Sequence, residues 1–280
     1  MKAPARYFPV EATPLRMRPR LQPFGTDFGN GEVERRFFQR DNLEAQYLSA
    51  KQATRGRYRV VTESPREDAA HAAVLRWIRT CLAEERPDLS LQSESDDPGA
   101  AYAVVSDAVQ EDFVVQLREP DGSDRAIAVY VCFPSGWRPE HIPGWSFARI
   151  HERVPDFAEP DVAARSLVTA MVERGPYVRF VWTLVAHGEL DHHPDDGPGT
   201  RFEPGAKEGW LRVERQVTVP FAEQQASLFL IRTYLYPFRT LSPGERATLA
   251  QAVRAMPRST AHYKQLEGRR EAILAALGDA

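Results

Sequence analysis

The chain has 280 residues, a formal net charge of −3 and a pI near 6.2. Apolar residues make up 42% and charged residues 27%, a globular composition that excludes a wholly disordered chain, while the slight acidic excess excludes binding of nucleic acid or anionic membrane by bulk charge. Two cysteines, Cys81 and Cys132, are too few for a disulfide framework or a four-thiolate metal centre. No apolar run approaches the ~20 residues of a membrane span, and the first residues carry no apolar signal core, so the expected location is the cytoplasm.

Residues 1–23 are rich in proline and alternate basic with apolar residues without a period, which reads as an extended arm. The segment Phe24 to Gly31 is turn-like, and a polar helix is expected from Glu34 to Ala50. Ser64-Pro65-Arg66-Glu67 is a capping box with proline at the first helical position. Val74, Trp77, Ile78, Cys81 and Leu82 follow at helical spacing, which places Cys81 in a core rather than at a reactive site. Gln92 to Gly99 reads as an acidic surface loop.

From residue 110 the period changes to two. Phe113, Val115 and Leu117 alternate, Pro120-Asp121-Gly122 signals a turn, and Ile127, Val129, Val131 and Phe133 alternate again, a hairpin pattern. A short helix over Trp145 to Glu152 and a second over Pro160 to Glu173 come next. Val178, Phe180, Trp182 and Leu184 mark a third strand. A long acidic loop, Asp191 to Gly209, leads to a fourth strand through Leu211, Val213, Val217 and Val219, and a fifth spans Ser227 to Tyr236. Ser242-Pro243-Gly244-Glu245 caps a helix to Ala255, and a terminal helix is expected from Ala261 to Leu277. Five antiparallel strands with interspersed helices give an α+β class.

No dinucleotide fingerprint, Walker A loop, CxxC pair, HExxH or GxSxG motif is present. His187, Asp191, His192 and His193 have metal-ligand chemistry, but the bland reading is a solvated acidic loop. His151 follows Phe147 and Ile150 on a short apolar helix. An imidazole so presented is either a packed side chain or a metal ligand or base. The later strands carry charge on alternating positions. Arg212, Glu214, Gln216 and Thr218 share one face of their strand, Arg179 shares a face with Val181 and Thr183, and Arg232 shares one with Leu230 and Tyr234. These either line a polar pocket or form paired structural ions.

Several segments together resemble one family. They are Phe38-Gln39-Arg40-Asp41 with Tyr47 and Lys51, Val109-Gln110-Glu111-Asp112-Phe113, and Cys132-Phe133-Pro134-Ser135-Gly136-Trp137. To these add Gly144 with Ile150-His151-Glu152-Arg153-Val154-Pro155, Arg179 with Trp182, Leu211 to Gln216, Ile231 to Tyr234, and Tyr263-Lys264. In order and spacing, over roughly residues 20 to 270, they look like haem-dependent oxidative N-demethylase alpha subunits and their relatives. The resemblance implies a PAS-like five-stranded antiparallel sheet with helices packed on it. One haem-binding domain would span 24–280, with helical extensions at 24–100 and 241–280. It implies haem b held by His151, and a polar group of Glu111, Arg179, Glu214, Gln216 and Arg232 at the reacting centre, Glu111 and Glu214 being candidates to meet an amine. It further implies oxidation of a small secondary amine with O₂ and electrons from a reductase partner, with flavin, iron–sulfur, tetrahydrofolate and NADPH sites in other subunits. A haem or ligand sensor of the same fold, and a haem-free homologue, are the alternative readings. The chain departs from the family pattern at Val181, where asparagine is usual, at Arg153, where proline is usual, and at Ile142, where lysine is frequent.

Overall fold

The computed structural model describes residues 2–12, 20–60, 63–89, 95–155, 160–195 and 201–278. Among them run seven strands, β1 (Gln22–Pro23), β2 (Arg59–Val60), β3 (Asp112–Arg118), β4 (Asp124–Tyr130), β5 (Tyr177–Val185), β6 (Trp210–Phe221) and β7 (Ala226–Pro237). They form one antiparallel sheet in the order β1-β5-β6-β7-β3-β4-β2. The five long strands lie where the alternation places them. The expectation of five strands is corrected by β1 and β2, two-residue pairings on the outer edges of β5 and β4. Such pieces are too short to carry a period of their own.

The described helices are α1 (Glu44–Thr54), α2 (Pro65–Glu85), α3 (Pro98–Ser106), α4 (Phe147–Ile150), α5 (Pro160–Glu173), α6 (Pro243–Ala255), α7 (Arg258–Tyr263) and α8 (Arg270–Ala276). The capping boxes predict two of the starts. At α6 the Ser242 hydroxyl accepts from the Glu245 N–H (3.2 Å) and the Glu245 carboxylate accepts from the Ser242 N–H (2.8 Å). At α2 the Glu67 carboxylate accepts from the Ser64 N–H (2.8 Å), and the helix buries Val74, Ile78, Cys81 and Leu82 as the spacing requires. No helix among the described residues is long and apolar enough to cross a membrane.

Two helix expectations are corrected. The helix read from Glu34 to Ala50 begins only at Glu44, after one 3-10 turn over Gly31–Arg35. Side chains distant in sequence take the backbone N–H groups that a helix there would have used. The Glu85 carboxylate accepts from Phe37 (3.0 Å) and Phe38 (2.9 Å), Glu111 from Gln39 (2.8 Å) and Gln110 from Asp41 (3.1 Å). The terminal helix is likewise broken into α7 and α8. Gln265 at φ 59° and Gly268 at φ 70° turn the chain between them. Of the arm, residues 2–12 lie along the body of the protein, with Tyr7 and Val10 buried. The Gln92–Gly99 and Asp191–Gly209 loops fall partly outside the described residues.

The pleat gives the sheet two unlike faces. One holds Val178, Trp182, Leu184, Val217, Leu230, Phe113 and Val115, and packs on α2, α3, α6 and α8. The other holds Val114, Phe229, Ile231, Gln216, Glu214 and Arg179, and is roofed by α4, α5 and the segment leading into them. The first face also carries Arg215 and Arg232, directly opposite one another on β6 and β7. Arg232 is fully buried and donates to Asp41 (2.6 Å), and its guanidinium lies over the Tyr47 ring (3.9 Å). Arg215 donates to the carbonyls of Arg36 (3.0 Å) and Glu34 (3.4 Å). Removing one member of a buried ion pair strands the other, at about 3–5 kcal/mol. Asp41→Ala is therefore expected to lower the unfolding free energy by about that amount, measured by urea titration. A loss below about 1 kcal/mol would show that the pair behaves like a solvated one.

Candidate functional site

β5 and β6 pair with Arg179 opposite Gln216, Val181 opposite Glu214 and Thr183 opposite Arg212. All six side chains therefore point to the face roofed by α4 and α5. A hydrogen-bonded line runs across them. Arg179 Nε donates to Gln216 Oε1 (2.7 Å), Gln216 Nε2 donates to Glu214 Oε2 (3.0 Å), and Arg212 Nε donates to Glu214 Oε1 (3.4 Å). Arg212 is buried and gives its remaining donors to the carbonyls of Leu190 (2.8 Å) and Phe133 and to Thr233 Oγ1 (3.3 Å). Both oxygens of Glu214 are thus taken. Arg179 is held by its Nε edge. Among the described residues, its two terminal nitrogens have no hydrogen-bond acceptor and no carboxylate pairs with it. Arg179, Val181, Thr183 and Glu214 are only half-buried. This half-exposed stretch of the face forms the cleft, and α5 packs beside it against β6 and β7.

His151 comes directly after α4, one residue past the helix in which the sequence placed it. Its ring stacks on Phe147, centroids 4.0 Å apart at 26°, and its Nδ1 lies 2.8 Å from the Phe147 carbonyl oxygen. A carbonyl can only accept, so Nδ1 carries the proton. Burial lowers the imidazole pKa to about 4; the Phe147 carbonyl opposes that shift and the Arg179 charge adds to it. The ring is neutral at pH 7, and its lone pair sits on Nε2.

A further element borders the cleft. Between α7 and α8, Lys264 donates to the Trp182 carbonyl with its ammonium 5.0 Å from the Trp182 ring, and Gln265 donates to the Gly136 carbonyl (3.3 Å). Burial lowers the Lys264 pKa to about 8, with Glu214 opposing. The adjacent Tyr263 phenol has its pKa raised by burial and by Glu214, and lowered by Arg179. Both side chains thus lie within electrostatic reach of Glu214. Family spacing pointed to Tyr263-Lys264, but no periodicity in the sequence connects them to β5.

The five polar candidates do not form one group. Arg179, Glu214 and Gln216 lie with His151 on the roofed face. Arg232 lies on the opposite face, and Glu111 belongs to the network there. Glu111 Oε1 accepts from Gln39, and its carboxylate is surrounded by the charges of Arg232, Lys51 and Arg215. Lys51 pairs with Asp112 (3.1 Å) and donates to the Glu111 carbonyl. Asp41, Tyr47 and Lys51 complete this network, which the strand pattern alone could not reveal because they sit on an irregular segment and on α1.

Of the histidine-rich loop, His187 is exposed and His193 is buried against Glu140 (3.2 Å). Asp191 pairs with Arg57 (2.8 Å). No group of three or more metal-ligating side chains is found among the described residues. Cys132 is buried beside Tyr58 (3.4 Å), and burial pushes its thiol pKa up to about 11.

Fold and site together define an α+β protein with a neutral imidazole and an unpaired guanidinium on the roofed face of its sheet. The family model described as "Haem-dependent oxidative N-demethylase, alpha subunit-like" matches residues 66–274. The chain belongs to that family, whose name carries haem dependence and a place as one subunit of a larger enzyme. The donor set fits a haem. A histidine that ligates iron through one ring nitrogen and donates through the other to a carbonyl needs the protonation state His151 has.

Burial raises the Glu111 pKa to about 7, outweighing its three cationic neighbours. The folded state therefore holds a proton that the unfolded state releases near the ordinary carboxylate value. Stability from this group is complete below about pH 4.3 and is lost as pH rises through 7. Glu111→Gln should flatten that fall when denaturation midpoints are compared across the range. A parallel decline in both proteins would assign the pH dependence elsewhere.

Proposed function

We propose that this chain binds haem b through His151 Nε2. With electrons from a partner subunit, it then oxidises the N-methyl group of a small secondary amine. The observation that carries the reading is the state of His151: neutral, with Nδ1–H committed to the Phe147 carbonyl and Nε2 holding the lone pair. The five long strands, with α4 and α5 lying between the second and third of them, support a PAS-like reading of the sheet. Haem at this place would supply the oxidative chemistry.

The chain's own residues would bind and orient. Phe147 holds the imidazole plane by stacking, and the apolar wall of Phe147, Leu167, Val168 and Met171 keeps water from that side. Arg179 presents donors into the cleft, and Gln216 and Glu214 fix its direction. Glu111 and Arg232 act at a distance, as a brace beneath β7. No nucleotide-binding fingerprint is present in the sequence, so flavin, iron–sulfur and NADPH chemistry would belong to the partner.

Protein produced with added haem precursor is expected to show a Soret band that is lost or displaced in His151→Ala. The same preparation, given a reductase, NADPH and a secondary amine, should release formaldehyde. A Soret band identical in parent and variant would remove His151 as ligand. A parent that stays colourless with added haemin would remove the haem reading. Amine-dependent spectral shifts without formaldehyde under any donor would favour a sensor.

A further inference from the structure

The cleft contains a cation that the fold leaves unsatisfied. Arg212, Arg215 and Arg232 each have carbonyl or carboxylate acceptors among the described residues. Arg179 does not, beyond the single Nε bond to Gln216. Glu214, whose charge acts on it, is bonded instead to Arg212 and Gln216. Arg179 is only half-buried, so its two terminal nitrogens face water that a ligand's oxygens can replace. The Tyr263 hydroxyl also has no hydrogen-bond partner among the described residues; the side chain is exposed and within electrostatic reach of Arg179 and Glu214. Two adjacent terminal nitrogens on a fixed guanidinium match the two oxygens of a carboxylate, and a neutral phenol adds a third donor.

A bare alkylammonium finds the wrong sign here. The carboxylate on this stretch of strand, Glu214, is paired with Arg212, and Arg179 repels a cation. Among the described residues, the terminal nitrogens of Arg179 are spare donors of the kind an anion needs. Val181, between Arg179 and Thr183 on the same face, offers an apolar surface beside the anion seat.

We propose that Arg179, with Tyr263, forms a carboxylate-binding seat in this cleft, and that the carboxylate belongs either to a substrate of the N-methyl amino acid class or to a porphyrin propionate. The first source deepens the functional reading above by naming the substrate class. Only the second source depends on haem being bound.

The test uses the full chain, its Arg179→Gln, Arg179→Lys and Tyr263→Phe variants, and circular dichroism to establish that each is folded. One arm titrates haem-loaded protein with N-methylglycine and with the uncharged N-methylglycinamide. The other titrates haem-free protein with haemin and with haemin dimethyl ester. If the seat reads substrate, the parent should prefer N-methylglycine over its amide by on the order of tenfold. Arg179→Gln should abolish that preference, Arg179→Lys retain part of it, and Tyr263→Phe reduce it, with haemin and its ester unaffected. If the seat reads a propionate, the same pattern should appear in the haemin-to-ester ratio, with N-methylglycine and its amide bound alike. Both ratios unchanged in folded Arg179→Gln would overturn the proposal. Should the parent take up no haem, the haem reading falls by itself. Calorimetric titration of the colourless chain with N-methylglycine and its amide then decides the seat, a ratio near one in the parent counting against it.

Discussion

Three arginines, Arg212, Arg215 and Arg232, are among the largest fully buried side chains of the molecule, and a buried guanidinium has to be answered. Each is answered by a piece of chain outside the α-helices and strands. Arg212 holds the carbonyls of Phe133 and Leu190, Arg215 those of Glu34 and Arg36, and Arg232 the carboxylate of Asp41. Irregular segments with few apolar side chains of their own are thereby fastened to the sheet by charge-assisted bonds from its central strands. Arg215 and Arg232 also stand opposite each other across β6 and β7, an unfavourable like-charge pair. Asp41 and the carbonyls of residues 34 and 36 offset it. Arg212 uses two nitrogens, Nη1 and Nη2, to hold the carbonyls of Leu190 and Phe133, a fork that a lysine's single nitrogen does not offer.

The site inherits its geometry from these fasteners. Arg212 fixes Glu214 on one side and the Phe133 and Leu190 segments on the other, and Glu214 fixes Gln216, which fixes Arg179. The line is directional. It starts in fully buried protein and ends on a guanidinium whose far edge looks into a cleft. His151 is set from the opposite side, by the short α4 turn and the Phe147 ring. Imidazole and guanidinium thus come from a roof element and a sheet element that have separate supports.

The long strands were legible because half-buried antiparallel strands alternate, and the starts of α2 and α6 because capping boxes are local chemistry. The Glu34–Ala50 helix was misread because acceptors that decide it, on Glu85, Gln110 and Glu111, lie far off in sequence. Residues on one strand could be assigned to common faces, which correctly grouped Arg212, Glu214 and Gln216. What alternation cannot supply is the parity between strands. That depends on register, and one residue of slip exchanges the faces. The family resemblance groups Arg232 and Glu111 with Arg179, and the register of β5, β6 and β7 puts Arg232 on the other face of the sheet. His151 stood out by its apolar neighbours, but the carbonyl that sets its proton is a backbone atom with no trace in the side-chain pattern.

The break between α7 and α8 has a consequence for the molecule's behaviour in a crowded solution. Among the described residues, the strand that flanks β5 on its outer side is β1, whose pairing covers Tyr177 and Val178. The rest of β5 would present an open row of backbone donors and acceptors, a template on which another chain could add a strand. Lys264 occupies the Trp182 carbonyl in the middle of that row and sets a charge over the Trp182 ring. The segment that borders the cleft therefore also acts as a gatekeeper against edge-to-edge aggregation.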